Sequence, residues 1–206
     1  MHTHRSSLAN QYGAALVVAL GIVIVLMLLG ASAVRTALNA ERSARGERDR
    51  QLALQAAEAA LDDAERDIEG GSQPGSMRAA MFAPGSSEGF VQGCGTGRDN
   101  PGLGLCLRMP EPGRPAWQSA ALADADGDAR AVDYGRFTGA AMPVGRGALP
   151  ARLPRYIIEL MPYARPGHDA SKRTDNFYRI TAIGFGASDA TTVVLQAYYL
   201  KPGKRT

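Results

Sequence analysis

The polarity pattern changes character twice along the chain. From Ala14 to Val34 no charged side chain occurs, and twelve of these 21 positions are Leu, Ile or Val. As a helix such a run reaches roughly 32 Å, enough to cross the hydrocarbon core of a bilayer. Its branched residues contribute roughly −4 to −7 kcal/mol toward insertion. A secretory signal has a shorter apolar region, about 7 to 15 residues, and Ala31-Ser32-Ala33 is a poor cleavage site. A buried core helix is the remaining alternative, and the run is long for one.

Beyond Arg35 the pattern becomes periodic. Leu54, Ala57, Leu61, Ala64 and Ile68 recur at spacings of 3, 4, 3 and 4, one narrow apolar stripe along a helix. Glu41 with Arg45 and Asp62 with Arg66 stand four apart on more polar faces and add a few tenths of a kcal/mol per pair. No proline interrupts the segment, and Gly70-Gly71 supplies the stop. The spacing predicts a single helix over Ala14 to Glu69, hydrophobic all round in its first half and amphipathic in its second. The stripe must pack on something.

The final third alternates differently. Arg155 to Leu160, Phe177 to Phe185 and Thr191 to Leu200 are β-branched and aromatic runs separated by turn-forming stretches. The last two are joined by Gly186 to Ala190, short enough for a hairpin, and Tyr178, Ile180 and Ala182 share one face. The stripe ending at Ile68 is the natural cover for that face. The predicted class is α+β, a long N-terminal helix packed on a small antiparallel sheet.

Composition sharpens the division. All 12 prolines lie between Pro74 and Pro202, and 20 of the 24 glycines lie at or after Gly70. The net charge of +3, from 23 basic and 20 acidic side chains, gives no electrostatic case for nucleic acid. Ser72 to about Pro115 is rich in Gly, Pro and Ser and predicts a long irregular loop. It holds both cysteines, Cys94 and Cys106. In a membrane-tethered chain these suggest a disulfide in an oxidising compartment, worth about 3 kcal/mol; free or metal-binding thiols are the alternative. Topology signals conflict. Arg35, Arg42, Arg45, Arg48 and Arg50 outnumber Arg5 and the α-amine, which by itself would keep the C-terminal part in the cytoplasm. The cysteine pair points outward, and the C-terminal part is expected there.

Catalytic signatures are lacking. His168 is the one histidine beyond the apolar span and sits in a turn-like stretch, a solvated position. Asp124, Asp126 and Asp128 invite a calcium reading, but Gly127 is out of register for an EF-hand and the twelfth position is Gly135. The Gly-x-Gly patterns follow no strand and open no helix. No metal, cofactor or enzymatic activity is expected.

A polar leader ending at Gly13, the apolar segment, its amphipathic continuation and a cysteine-bearing β domain together resemble a type IV prepilin. Gly13 to Glu65 is similar to the PilX type of minor pilin, most specifically RDRQLALQAAEAAL, Arg48 to Leu61. Tyr178 to Tyr199 resembles that family's C-terminal hairpin, while the middle of the chain stays unassigned. The resemblance implies a leader over 1–13, a transmembrane or filament-core helix over 14–34, its amphipathic continuation over 35–69 and a periplasmic domain over 70–206. It implies cleavage between Gly13 and Ala14 by an inner-membrane prepilin peptidase, with methylation of the new Ala14 amine. Other minor pilins, the major pilin and the inner-membrane assembly platform are the implied partners. The protein would wait in the inner membrane, leader inside, and then enter the extracellular filament. Most pilins carry a glutamate five residues after the cut, pairing with the neighbour's terminal amine; here that position is Val18. This departure implies a place at or near the pilus tip, priming assembly. A tip pseudopilin of a type II secretion system, or a plain membrane-anchored periplasmic binding domain, are the alternatives.

Overall fold

One helix carries the whole N-terminal pattern: α1 runs from Tyr12 to Ile68, 57 residues without a proline. In the computed structural model the described residues are 12–71, 75–108, 115–120, 122–123, 130–161 and 176–201. His168 and the aspartates at 124, 126 and 128 lie outside them. The chain divides into two units, Met1–Glu47 and Arg48–Thr206.

In the first unit every side chain from Ala15 to Glu47 is exposed, the large apolar ones included. α1 is long and apolar enough to cross a membrane. Among the described residues nothing covers this half, as befits a surface whose partner is lipid or other helices.

The second unit holds the rest of α1 and the other elements: α2 (Met77–Met81), β1 (Leu105–Leu107), α3 (Ala116–Ser119), β2 (Val132–Asp133), β3 (Arg155–Met161), β4 (Asn176–Phe185) and β5 (Thr192–Lys201). The three sequence-predicted strands appear within a residue or two of their expected bounds, because β-branched and aromatic runs between turns are a strong local signal. They form an antiparallel meander, with Ile158 opposite Ile180 and Ile180 opposite Ala197. The sheet as a whole is mixed. β1 joins β3 in parallel, from Leu105 opposite Ile158 to Leu107 opposite Leu160, while β2 pairs antiparallel beside it. The order is β1-β3-β4-β5, with β2 also on β3. A parallel pair needs a long crossover, and the stretch between Leu107 and Arg155 provides it.

One face of the sheet is covered by α1, and the other is covered over β3 and β4. Ala60, Ala64 and Ile68 of α1 pack against Tyr156, Ile158, Tyr178, Ile180 and Ala182 on one face. The expected stripe needs correction at its margins. Ala57, Ala64 and Ile68 are fully buried, Leu61 is half-buried and Leu54 is 37% exposed, while Ala53, Ala56 and Ala60 are buried beside them. The helix turns its smallest residues to the sheet and keeps the leucines on the flank.

The segment expected to be a long irregular loop carries α2 and β1 and contributes to the core. Phe82 and Phe90 reach the helix-side cluster, where Phe90 stacks on Tyr178 at 5.9 Å and Phe82 meets the same ring edge-on at 5.7 Å. Such aromatic pairs stabilise by about 0.5–1.5 kcal/mol beyond their buried area. On the other face Cys94, Cys106, Ala116 and Leu122 pack on Ile157, Ile183 and Phe185, with Trp117 half-buried at the margin. Cys94 and Cys106 form a disulfide, S–S 2.02 Å. It ties the loop to β1.

Candidate functional site

Three features of α1 bear on function, one near its start and two in its C-terminal part. At its start, Val18 is 61% exposed within the uncharged run that follows Gly13 and Ala14. Among the described residues up to Val34 there is no acid and no base, so no group here can neutralise a neighbouring charge.

Further along, the helix closes directly on the sheet. A Cβ placed on Gly184 of β4 would lie 2.1 Å from the Ala53 carbonyl oxygen and 2.4 Å from the Ala57 nitrogen. Those separations are impossible for any side chain, so backbone meets backbone there. Ala53, Ala56 and Ala57 leave room on one side, and Gly184 leaves it on the other. One turn earlier Asp49 closes the hairpin: its Oδ1 accepts from the Ala187 N–H at 2.5 Å and the Ser188 N–H at 3.2 Å. The Thr191 side chain, together with these two amides, holds the Asp49 carboxyl below its usual range. The alanine-rich motif and the glycine of the C-terminal hairpin, the two stretches quoted for the family resemblance, thus form one seam.

At its end the helix buries charge. Asp67 is fully buried and accepts from Arg78 Nη2 at 2.6 Å, from Arg78 Nε at 3.1 Å and from the Tyr156 hydroxyl at 3.1 Å. Arg78 also donates through Nη1 to the carbonyls of Pro101 (2.7 Å) and Leu103 (2.8 Å), and its guanidinium lies 4.1 Å from the Phe137 ring centre. Asp63, one turn earlier and also fully buried, accepts from the Gly135 N–H at 2.7 Å and from the Thr138 hydroxyl. Burial, and then the negative charge of Asp67, pushes the Tyr156 phenol well above its ordinary pKa. It stays a donor.

These two acids bring together α1, α2, β3 and the loops around residues 101–103 and 135–138. Sequence reasoning had missed them, although the signal existed: Asp67 continues the Ala60–Ala64 row at helical spacing, an acid inside an apolar stripe. The helix then stops at Gly70-Gly71, where Gly71 N–H donates to Arg66 O and Gly70 N–H to Asp67 O, the paired bonds of a Schellman cap. Both glycines have positive φ, 121° and 58°.

A cleft of about 330 Å³ opens beside this network, lined by Arg78, Arg98, Asp99, Arg136 and Phe137 among others. Arg136 pairs with Asp99 at 3.2 Å across its rim. The described residues include no group of three or more His, Cys, Asp or Glu able to hold a metal ion.

Two family models match the chain. One, described as type IV pilus assembly protein PilX C-term, covers residues 83–201, and the other, PilX N-terminal, covers residues 13–62. The second of these reaches the family's N-terminal helix, and the first covers the middle segment from residue 83 on, which the resemblance had left unassigned. No curated protein and no solved structure matches the chain.

Proposed function

The chain belongs to the PilX family of type IV pilus assembly proteins, and from that premise we propose that it is a minor pilin that primes the filament at or near its tip. Processing comes first. The prepilin peptidase removes residues 1–13 and methylates the Ala14 amine, leaving α1 as the membrane anchor and the second unit on the periplasmic side. The exposed apolar half of α1 then moves from lipid into a bundle of similar helices. A surface apolar on all sides is equally soluble in both, so the transfer costs little.

Val18 is the observation that carries the tip placement. In a filament core the positive amine of each subunit needs a carboxylate from its neighbour. A subunit with valine at this position, inserted beneath another, would leave that neighbour's amine buried and unpaired, at a cost of several kcal/mol. A subunit with nothing above it avoids the penalty, while its own Ala14 amine can still donate to a carboxylate from below.

The test has two stages. Peptide mass spectrometry of the protein expressed with and without prepilin peptidase should show loss of Met1–Gly13 and a methylated Ala14; an uncut N-terminus with active enzyme overturns the pilin assignment of this region. With processing established, Val18→Glu should relax the placement, spreading labelled protein along the filament and lowering pilus number. Tip location and pilus number both unchanged would overturn the tip role.

A further inference from the structure

The two edges of the sheet are finished differently. β1 is three residues long, Leu105 and Cys106 are fully buried, and Val91 bridges to it. β5 is ten residues long, pairs with β4 without a bulge from Thr192 to Lys201, and has no strand outside it among the described residues.

Main-chain direction along β5 follows from the ladder. Ile158 N–H donates to Gly104 O, away from β4, so the odd-numbered residues of β3 face β4. Carrying the alternation through the two antiparallel registers, the odd-numbered residues of β5 bond to β4. Thr192, Val194, Gln196, Tyr198 and Leu200 therefore direct N–H and C=O outward. Their side chains are also the exposed ones, Val194 at 44% and Tyr198 at 60%, with Tyr198 fixed by stacking on Phe177 at 5.6 Å.

Natural edge strands are blunted by charge, proline, a bulge or short length. From Thr192 to Leu200 β5 has none of these. The same sheet covers its β1 edge with Val91, whereas among the described residues β5 stays open.

We infer that β5 is a docking edge at which an extended, uncharged segment of a neighbouring pilus subunit adds as a further strand. The inference rests on the pilus reading above. With no charge along Thr192–Leu200, a charged partner segment would find no counter-ion and would be desolvated against Val194 and Leu200. A second copy of β5 does not fit. Antiparallel pairing would turn the two α1 helices in opposite directions, although both are anchored in one membrane or filament. A symmetric parallel pair would set like-numbered residues opposite each other, an arrangement that a parallel ladder does not bond. Strand addition takes its affinity from main-chain bonds and its specificity from alternate side chains, here Val194, Tyr198 and Leu200.

The test is photo-crosslinking in piliated cells with p-benzoylphenylalanine in place of Tyr198 in the full-length protein. The expected product is a light-dependent adduct with another prepilin-derived subunit, mapped by mass spectrometry to an uncharged segment. Val194→Pro should reduce it by about tenfold or more, because proline removes an outward N–H and leaves the β4 bonds intact. Should that variant fail to fold, Val194→Lys retains the backbone and places a charge on the edge, with the same expected loss. No adduct, an adduct only with lipid, with a charged segment or with a second copy, or an adduct indifferent to these substitutions, would overturn the inference. N-terminal processing is scored in the same cells: a processed chain without adduct removes only the docking edge, whereas an unprocessed one removes the pilus reading beneath it.

Discussion

Residues 15–34 of α1 carry Leu, Ile and Val on every side and leave them all exposed, whereas residues 48–68 turn a row of alanines to the sheet and bury two aspartates. The backbone is the same; the partner differs. A half that meets lipid or sister helices needs hydrophobicity without direction, and large residues all round provide it. A half that meets one fixed sheet needs a specific distance and register. Alanines set the distance, through the close approach at Gly184. Asp63 and Asp67 set the register, since each is held by its own partners, Gly135 and Thr138 for Asp63 and Arg78 and Tyr156 for Asp67. Sliding the helix would strand them.

The largest expected effect breaks this second rule. Asp67→Ala leaves Arg78 buried beside Phe82 and Phe137 without its carboxylate, and should destabilise the second unit by about 3–5 kcal/mol. Urea titration of the full-length protein in detergent, followed by tryptophan fluorescence from Trp117, measures it. Adding Arg78→Met should recover much of the loss, because an uncompensated buried charge is worse than none. A loss no greater than that of an exposed control such as Glu58→Ala would show that these acids do not hold the register.

Methyl addition sharpens the comparison directly. At Gly184 a new Cβ meets helix backbone at 2.1 Å, and at Gly30 it meets nothing within 4 Å. Gly184→Ala must push α1 off the sheet and should destabilise by about 1–3 kcal/mol. Gly30→Ala should leave second-unit stability unchanged and firm the helix locally, by about 1 kcal/mol of propensity. The same denaturation experiment, with circular dichroism for the helix, checks both. Equal effects at the two glycines would dissolve the distinction between the halves.

Why the two halves were unequally legible in sequence follows from the same physics. Composition alone marks the apolar half, and local periodicity marks the strands. Both survive because they depend on nothing distant. The packing of the second half depends on residues far away in the chain. Stripe spacing nominated Leu54, Ala57, Leu61, Ala64 and Ile68 as one packing row, of which Ala57, Ala64 and Ile68 are buried while the two leucines stand at the margin. The true contact row lies toward Ala53, Ala56 and Ala60, since Gly184 demands small partners more than the sheet demands large ones. Asp67 shows locally as an acid in the apolar row, but its choice of Arg78 and Tyr156 as partners has no local signature. Nor has β1, three residues whose strand character comes from the parallel register with β3 and the disulfide beside it.

The smallest expected effect concerns how the second half ends. Lys201 Nζ donates to the Ile68 carbonyl at 2.5 Å, and the Tyr199 hydroxyl donates to Glu69, so β5 caps the last turn of α1. Burial, and then the hydrogen bond to Glu69, raises the Tyr199 pKa from 10.0 to about 12. The protonated phenol is therefore favoured in the folded chain. Its contribution is complete below pH 10, where folded and unfolded states are both protonated, and is lost as pH rises from there through about 12. Tyr199 is half-exposed, so the contribution is modest. Tyr199→Phe should flatten the alkaline decline of the urea midpoint over this range and leave a residual fall from buried Tyr156, whose pKa is also raised. An undiminished decline would assign the whole alkaline loss to Tyr156 and its bond to Asp67, placing the pH sensitivity in the register-setting network and not in the cap.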